Sequence, residues 1–264
     1  FRFERHTDLD TALRLLPDDP DGARVLAGGQ SLLALMNMRL ARPETLVDLN
    51  EIPELQRIDV TDRTVQLGAL VRQRVTERDP QLAAALPLLV QAIAHIGHAT
   101  IRNRGTVGGS IAHADPASEL PAAAVALDAD LIVRSIGGTR TIPAAEFFSG
   151  PFSTSMEPGE VLVAVRFDRS RSPQRSAVVE HARRSGDFAV AGAICGIDLS
   201  ADGTVTAARV VGLGLNPYPR RATDVEATLC DGSVRATAGG TLDAGTLATV
   251  EAAARQLAEG CDPT

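Results

Sequence analysis

The chain has 264 residues, enough for two or three small domains or for one large domain, and its 44% apolar and 22% charged side chains are ordinary for a globular protein. A net charge of −7 argues against a general nucleic-acid binder, which is usually basic. No apolar run is long enough for a membrane span, and residues 1–6 lack the apolar stretch of a secretion signal, so we expect a cytoplasmic location.

The N-terminal part alternates short strands and helices. Residues 24–27 predict a strand that enters a glycine turn, an apolar helix follows over residues 31–40, and residues 45–49 predict a second strand. Strand, glycine turn, helix and strand in this order indicate a compact α/β unit. A helix is also predicted over residues 8–16, and a hairpin or meander over 56–60 and 64–67. A mainly helical stretch over 80–98 precedes a glycine-bearing loop over 101–116 and a helix over 118–127. Strands over 131–133 and 140–142, an aromatic loop over 147–152 and a strand over 161–167 complete the predictions for this part.

The C-terminal part has a different pattern. The polar residues 168–173 predict a linker, after which long strands are expected over 176–182, 189–199 and 204–214. Asp202 and Gly203 form a turn signal that makes the last two strands an antiparallel pair. Helices over 223–229 and 244–258 complete an expected α+β domain with a three-stranded sheet.

Residue usage excludes several chemistries. The chain has no lysine, which a pyridoxal Schiff base and a standard P-loop both require. Its cysteines, Cys195, Cys230 and Cys261, are odd in number and widely spaced, so neither disulfides nor iron–sulfur ligation is expected on this chain. His95 and His98 have the spacing of a metal pair but no third ligand, so no metal is expected.

The first glycine loop, residues 27–31 (AGGQS), lies between a strand and a helix. Glycine allows a positive φ and lets backbone N–H groups approach an anion, and the N-terminus of the following helix favours negative charge. Leu33 stands where a nucleophile elbow needs glycine, so Ser31 does not indicate a hydrolase. The alternative interpretation is a tight turn with Ser31 as a helix cap.

The second glycine loop, residues 104–110 (RGTVGGS), is longer. Thr106 and Ser110 offer hydroxyl groups to a phosphate, while Asp115 or Glu119 could accept hydrogen bonds from ribose or ribityl hydroxyls. Arg102 and Arg104 could counter phosphate charge or form surface ion pairs, and His113 is either a base or a packed loop residue. Two such loops in one chain predict a ligand with two phosphates, such as FAD.

Four segments resemble one family in the correct order over essentially the whole chain. Residues 27–33 (AGGQSLL) with 39–43 (RLARP) resemble the first FAD motif of the FAD-binding (medium) subunit of molybdenum hydroxylases, a family that includes aerobic carbon monoxide dehydrogenase and xanthine dehydrogenase. Residues 101–110 (IRNRGTVGGS) with 114–116 (ADP) resemble its second motif. Residues 147–152 (FFSGPF) with Gly159 and Glu160, and residues 183–189 (RRSGDFA), resemble two further segments.

This resemblance implies an α+β fold with a two-subdomain FAD-binding domain of the vanillyl-alcohol-oxidase/PCMH-like type, followed by a C-terminal α+β domain with a three-stranded antiparallel sheet and helices. The implied boundaries are residues 1–54 and 55–168 for the two FAD-binding subdomains and 169–264 for the C-terminal domain. The FAD would lie between the two subdomains.

The resemblance also implies roles for individual residues. The first loop and the second loop would bind the pyrophosphate from opposite sides, Glu119 would hydrogen-bond to the sugar portion, and Phe188 would cover the isoalloxazine ring. Glu180 stands where some relatives have a lysine that contacts the flavin. No catalytic side chain and no metal ligand is expected. The implied cofactor-binding residues are Leu26, Ala27, Gly28, Gly29, Gln30, Ser31, Leu32, Leu33, Ile96, Ile101, Thr106, Gly108, Gly109, Ser110, Asp115, Glu119, Leu162 and Phe188.

The implied function is that of an electron-transfer subunit. A large partner subunit would hold a molybdopterin cofactor, and a small one would hold [2Fe–2S] clusters whose electrons pass through FAD to NAD, a quinone or oxygen. The complex would be a dimer of heterotrimers. Two alternatives stay open: a stand-alone flavin oxidoreductase of the same FAD-binding superfamily, and a non-catalytic nucleotide-binding scaffold.

Overall fold

The structure is a computed structural model that describes residues 1–16, 22–235 and 244–261. An N-terminal sheet has the order β1-β3-β2, and both of its strand pairs are parallel. Its strands and helices are β1 (Arg2–Arg5), α1 (Leu9–Leu13), β2 (Ala23–Leu26), α2 (Leu32–Asn37) and β3 (Thr45–Asp48). The predicted strand–turn–helix–strand unit is thus confirmed, although α2 is shorter than the predicted helix over residues 31–40.

A central sheet of five strands follows, and every strand pair in it is antiparallel. Its order is β4-β5-β10-β6-β7. The strands are β4 (Ile58–Val60), β5 (Thr64–Gly68), β6 (Asp130–Ser135), β7 (Gly138–Pro143) and β10 (Val161–Asp168). The hairpins predicted around residues 61–63 and at Gly137 and Gly138 are both present.

Six helices lie between β5 and β6. They are α3 (Gln73–Arg78), α4 (Pro80–Ala85), α5 (Pro87–His95), α6 (Ala99–Arg104), α7 (Val107–His113) and α8 (Glu119–Ala126). Residues 80–98 are mainly helical, as predicted, and they form two helices. Leu86 leaves the helical region, with φ −138° and ψ 64°, because helical dihedral angles are unfavourable for the residue before a proline, and Pro87 begins a new helix.

The prediction of a loop over residues 101–116 is wrong, because most of this segment is helical. The Thr106 hydroxyl accepts a hydrogen bond from the amide of Gly109 and so begins α7. Ala114 ends the helix in the left-handed conformation, with a φ of 53°. The true irregular segment between α6 and α7 is only Gly105 and Thr106.

The aromatic segment also contains regular structure, namely α9 (Ala144–Phe147), β8 (Phe148–Gly150) and β9 (Ser153–Thr154). Phe147 and Phe148 are buried and pack edge to face with ring centroids 5.2 Å apart, whereas Phe152 is exposed. The aromatic segment therefore contributes to the core as well as to the surface.

The predicted C-terminal sheet is confirmed as three antiparallel strands in the order β11-β12-β13. Its elements are β11 (Arg175–His181), β12 (Ala191–Leu199), β13 (Val205–Leu213), α10 (Thr223–Leu229) and α11 (Ala244–Glu259). Helices α5 and α8 share one hydrophobic core with the central sheet and with Ile194, Val211 and Leu213 of the C-terminal sheet. Helices α7 and α8, which follow the second glycine loop, contribute to the same core.

Each main sheet lies within one of the three predicted ranges, and the division into domains itself stays a prediction. Over the described residues, none of the helices combines the length and apolar character that crossing a bilayer requires.

Candidate functional site

The two glycine loops, which are far apart in the sequence, meet each other. The first leaves β2 after Leu26, and the second lies between α6 and α7. A Cβ on Gly28 would overlap the carbonyl oxygen of Arg104 and lie 2.9 Å from the Cα of Gly105. A Cβ on Gly109 would lie 3.5 Å from that of Ala27. Glycine at position 28 is therefore required for this close approach of one backbone to another.

A polar network fastens the two loops together. The Asn50 side chain donates to the carbonyl oxygen of Ala27 at 2.9 Å and to Asp48 at 2.5 Å. The oxygen of the same side chain accepts from the guanidinium of Arg72 at 2.6 Å, and Arg72 also donates to the carbonyl oxygen of Arg104. The side-chain amide of Asn50 and the guanidinium of Arg72, which we call the loop clamp, thus connect the two loops.

The first loop has backbone donors to offer. Among the described residues, no group accepts a hydrogen bond from the amide N–H of Gly28, Gly29 or Gln30. Gly29 has a φ of 73°, a conformation that glycine adopts without strain. Successive free N–H groups in such a turn form a concave site for an anion, and the fit to a phosphate is good.

The second loop offers fewer free backbone donors than the first, because the amide groups of two of its glycines already have acceptors. The amide of Gly108 donates to the carbonyl oxygen of Ala69 at 2.9 Å, and that of Gly109 donates to the Thr106 hydroxyl at 3.0 Å. These two N–H groups are therefore occupied, one by the first turn of α7 and the other by the contact with Ala69. The amides of Gly28, Gly29 and Gln30 thus have no acceptor among the described residues, whereas those of Gly108 and Gly109 are engaged.

Next to the second loop lies a buried acid. Glu119, the first residue of α8, is 4% exposed, and the preceding Ser118 shares a hydroxyl hydrogen bond of 2.9 Å with Ser110. Burial raises the pKa of Glu119 to about 7, and the negative charges of Glu180 and Asp115 act in the same direction. Burial therefore makes Glu119 a weaker acid than an ordinary surface carboxyl.

Arg102 is a structural residue and does not face a ligand as an open cation. Its buried guanidinium donates to both carboxylate oxygens of Glu77, at 3.0 and 3.1 Å, and to the carbonyl oxygens of Ile96 and Gly97. Burial alone would raise the pKa of Glu77, but the hydrogen bonds from Arg102 and Arg74 outweigh it and lower that pKa. Of the two alternatives for Arg102, the ion pair is the one observed.

The histidines have separate surroundings. His95 Nδ1 lies 3.4 Å from Glu180 Oε1, whereas the ring of His98 lies against Gly186, where a Cβ would be 2.7 Å from its Nδ1. His113 packs tilted against Phe152 with centroids 5.1 Å apart. Burial lowers the pKa of His113, while the charge of Asp115 opposes that shift. Within residues 1–16, 22–235 and 244–261, no three His, Cys, Asp or Glu side chains are grouped to hold a metal ion.

The predicted cofactor-binding residues differ widely in exposure. Phe188 is 64% exposed, next to a segment that packs on His98 through Gly186, while Leu162 belongs to the shared core. The buried residues are Gly28, Thr106, Gly108, Glu119 and Leu162, the half-buried ones are Leu26, Ala27, Gly29, Ser31, Leu32, Ile96, Gly109, Ser110 and Asp115, and the exposed ones are Gln30, Leu33, Ile101 and Phe188. Their roles toward a ligand stay predictions.

The loop clamp was not predicted from the sequence. One signal could have indicated Asn50: it lies just beyond the carboxyl end of β3, and the carboxyl ends of parallel neighbouring strands lie at the same edge of a sheet. The end of β2 and the first loop share that edge. Arg72 had no comparable signal, because its place depends on how two sheets pack.

Comparisons with known proteins identify the family of this chain. A family model described as "FAD binding domain in molybdopterin dehydrogenase" matches residues 1–168. The chain is 40% identical to the 6-hydroxypseudooxynicotine dehydrogenase complex subunit alpha of Paenarthrobacter nicotinovorans, over 97% of this chain and 82% of that protein. It is 37% identical to the carbon monoxide dehydrogenase medium chain of Hydrogenophaga pseudoflava, over 83% of this chain and 77% of the relative.

The fold is similar to a solved structure of carbon monoxide dehydrogenase from Hydrogenophaga pseudoflava that lacks the Mo-pyranopterin moiety of the molybdenum cofactor. The TM-score is 0.90 with 34% sequence identity, and the alignment covers 100% of this chain and 88% of the other. These matches confirm the family resemblance that the motifs indicated. The chain therefore belongs to the family of FAD-binding medium subunits of molybdopterin dehydrogenases.

Proposed function

We propose that this chain holds FAD at the junction of its two glycine loops and carries electrons through it. The observation that supports the proposal most is the close approach of Gly28 to Arg104 and Gly105. It brings together two loops that are far apart in the sequence. The amide groups of Gly28, Gly29 and Gln30, without partners among the described residues, suit a pyrophosphate.

The two loops contribute differently in this proposal. Residues 26–33 bind the pyrophosphate mainly through backbone N–H groups. Thr106, Gly108, Gly109 and Ser110 close the other side by packing and by hydroxyl contact, since the amides of Gly108 and Gly109 are already engaged. The loop clamp acts on the pocket from outside by holding both loops in position.

The side chains outside the two loops would contact other parts of the cofactor. The carboxyl groups of Asp115 and Glu119 accept hydrogen bonds from the sugar hydroxyls of the cofactor. Phe188 offers an exposed aromatic face for stacking, which suits a planar ring system. Apolar neighbours of the cofactor are Ile96, Ile101, Leu33 and Leu162.

When bound, FAD supplies redox chemistry that this chain's own side chains lack. We propose that electrons arrive from [2Fe–2S] clusters of a small partner subunit, after substrate oxidation at the molybdopterin cofactor of a large one, and leave to NAD, a quinone or oxygen. The names of the relatives, a complex subunit alpha and a medium chain, support the presence of partners. The dimer of heterotrimers and the cytoplasmic location stay predictions.

The proposal is tested by purifying the chain together with its native partner subunits and measuring flavin, molybdenum and iron. We expect FAD on this chain, its reduction by the substrate of the complex, and its reoxidation by one of the three acceptors. Failure to bind FAD even after reconstitution would contradict the proposal. Turnover of a small substrate by the isolated FAD-loaded chain would favour the stand-alone flavin oxidoreductase instead.

A further inference from the structure

Helix α2 is apolar in sequence but joins no core. Residues 32–37 read LLALMN, and none of them is buried. Among the described residues, the three hydrophobic clusters of the chain include no residue of α2. Contact of large apolar side chains with water is unfavourable, and a contiguous exposed apolar surface of this kind marks a contact site.

The apolar surface continues beyond the end of the helix. Met38 is 61% exposed and Leu40 is 73% exposed, and both follow α2 directly. A groove of about 550 Å³ is lined by side chains of α2 that include Met36, by residues 41–44 and by Phe1. We call Met36, Met38, Leu40 and this groove the α2 surface.

The proposed cofactor does not account for the α2 surface. The segment assigned to FAD in this region, residues 26–33, ends in the first turn of α2. Met38 and Leu40 lie beyond the opposite end of this six-residue helix, which is about 9 Å long. The most exposed apolar side chains of the α2 surface are therefore separate from the segment that is proposed to hold the pyrophosphate.

The turn that ends α2 contains a residue of an unexpected type. The amide of Arg39 donates to the carbonyl oxygen of Met36 at 2.9 Å, and the amide of Leu40 donates to that of Leu35 at 2.8 Å, which is the Schellman arrangement. Its left-handed position is usually occupied by glycine, but here Arg39 adopts it with a φ of 61°. A long cationic side chain kept at a strained position indicates a function for that side chain.

Cations border the α2 surface. Among the described residues, no carboxylate pairs with Arg39, and the guanidinium of Arg42 donates to the carbonyl oxygen of Arg39 at 3.2 Å. Glu44 also lines the groove, so this border carries two cations and one carboxylate. A complementary surface is an apolar ridge bordered by Asp or Glu. A second copy docked symmetrically through the same surface would instead bring the arginines of both copies together.

We propose that the α2 surface docks another subunit of the complex, through an apolar ridge on that subunit with an acidic border. The inference rests on the proposed function for the existence of such partners, which the names of the relatives, a complex subunit alpha and a medium chain, support. Met36, Met38 and Leu40 supply the apolar contact. Arg39 and Arg42 orient the partner by pairing with its carboxylates.

The test uses the FAD-loaded chain in complex with its native partner subunits. Mass photometry over a dilution series measures association, and absorbance measures the FAD content of the same samples. Leu40→Glu and Met38→Glu should each weaken association at least about tenfold and leave the FAD content unchanged, because a carboxylate would be buried in an apolar contact. Ile136→Glu is the matched control, since Ile136 is 71% exposed in the hairpin between β6 and β7, and it should associate like the wild type.

Arg39→Gly should have two opposite effects. Glycine relieves the strained turn, so the urea midpoint of the isolated chain should rise. Loss of the cation should at the same time weaken association with the partner subunits about threefold or more, with a larger effect at low salt. A residue whose only role is to end α2 would show the first effect without the second.

Hydrogen–deuterium exchange of the wild-type protein needs no variant. The amides of residues 36–42 should exchange more slowly in the complex than in the isolated chain. Unchanged exchange there in an intact complex, or wild-type association of Leu40→Glu and Met38→Glu, would overturn the inference and leave the proposed function standing. Dimers of the isolated chain that Leu40→Glu abolishes would assign the α2 surface to a second copy and overturn it as well. An intact complex whose chain holds no FAD would contradict the proposed function alone.

Discussion

The side chain of Asn50 donates a hydrogen bond of 2.9 Å to the carbonyl oxygen of Ala27, inside the first glycine loop. The same side chain accepts from Arg72, which reaches the carbonyl oxygen of Arg104 in the second loop. Burial lowers the pKa of Arg72, with the nearby charge of Arg104 acting in the same direction, so this guanidinium is partly desolvated. The spacing of the two loops therefore depends on residues that the cofactor motifs do not include.

Asn50→Ala should weaken FAD binding about 10- to 100-fold, because each lost buried hydrogen bond costs about 1 to 3 kcal/mol. Arg72→Met should have a similar effect. The double variant should lose less binding free energy than the sum of the two single losses, because both residues belong to one network. Fluorescence titration of the apo-protein with FAD gives the affinities. Asn216→Ala removes an amide that bonds to Arg220 outside the site and should bind FAD normally. Unchanged affinity in Asn50→Ala would show that the loops keep their spacing without the clamp.

Gly28→Ala should separate the loops. The new methyl group would overlap the carbonyl oxygen of Arg104 and cannot avoid it by rotation, since both are fixed to backbone. We expect a loss of about 1 to 3 kcal/mol in the free energy of unfolding and at least tenfold weaker FAD binding. Gly137→Ala is the matched control, because its methyl group meets only the Ser135 hydroxyl at 3.5 Å. Urea unfolding and FAD titration measure both effects, and equal behaviour of the two variants would refute the steric argument.

Arg102→Met should destabilise the ligand-free protein by about 3 to 5 kcal/mol, because it leaves the Glu77 carboxylate partly buried without its bidentate partner. Adding Glu77→Gln should recover part of that loss, which a double-mutant cycle in urea measures. A role for Arg102 in direct phosphate binding predicts instead a large loss of FAD affinity with little change in stability.

Glu119→Gln should change how stability depends on pH. The pKa of Glu119 rises from 4.5 to about 7 on folding, so its contribution is fully present below about pH 4.5 and is lost as the pH rises through 7. The shift corresponds to roughly 3 kcal/mol. As the pH rises over that range, the unfolding free energy of the wild-type apo-protein should therefore fall relative to that of the Glu119→Gln apo-protein. A constant difference would mean that the carboxyl titrates normally in the folded chain.

Phe188→Ser should leave the apo-protein as stable as the wild type, within about 0.5 kcal/mol, because the side chain is mostly exposed. If Phe188 covers the flavin, the variant should nevertheless bind FAD more weakly and change the flavin absorbance and fluorescence. Val179→Ser, at an equally exposed apolar position in the same region, serves as the control. Identical flavin spectra in all three proteins would exclude stacking by Phe188.

Local patterns predicted the strands that border a glycine turn or hairpin, because the limits of those strands are marked in the sequence. They did not predict β1, β8 and β9. The break at Leu86 was also visible in principle, since Pro87 follows it. The helix α7 was hidden because small residues replace the usual apolar stripe. Gly108 needs to be small, since a Cβ there would lie 2.7 Å from the Cα of Ala69.

The site was predictable only in part, for a related reason. The glycine loops have a local signature, and so do the acidic residues that follow them. By contrast, Asn50 and Arg72 are 22 residues apart and meet only because the N-terminal and central sheets pack together. A contact of this kind leaves no mark in the pattern of either segment.

The meeting of Gly28 with Arg104 and Gly105 also bears on maturation of the protein. The first loop depends on the N-terminal sheet and the second on helices α6 and α7, so the proposed cleft forms only when these parts of the chain have docked. Under the proposed function, FAD binding is then a late event in biogenesis, and bound flavin would report that the chain has assembled correctly.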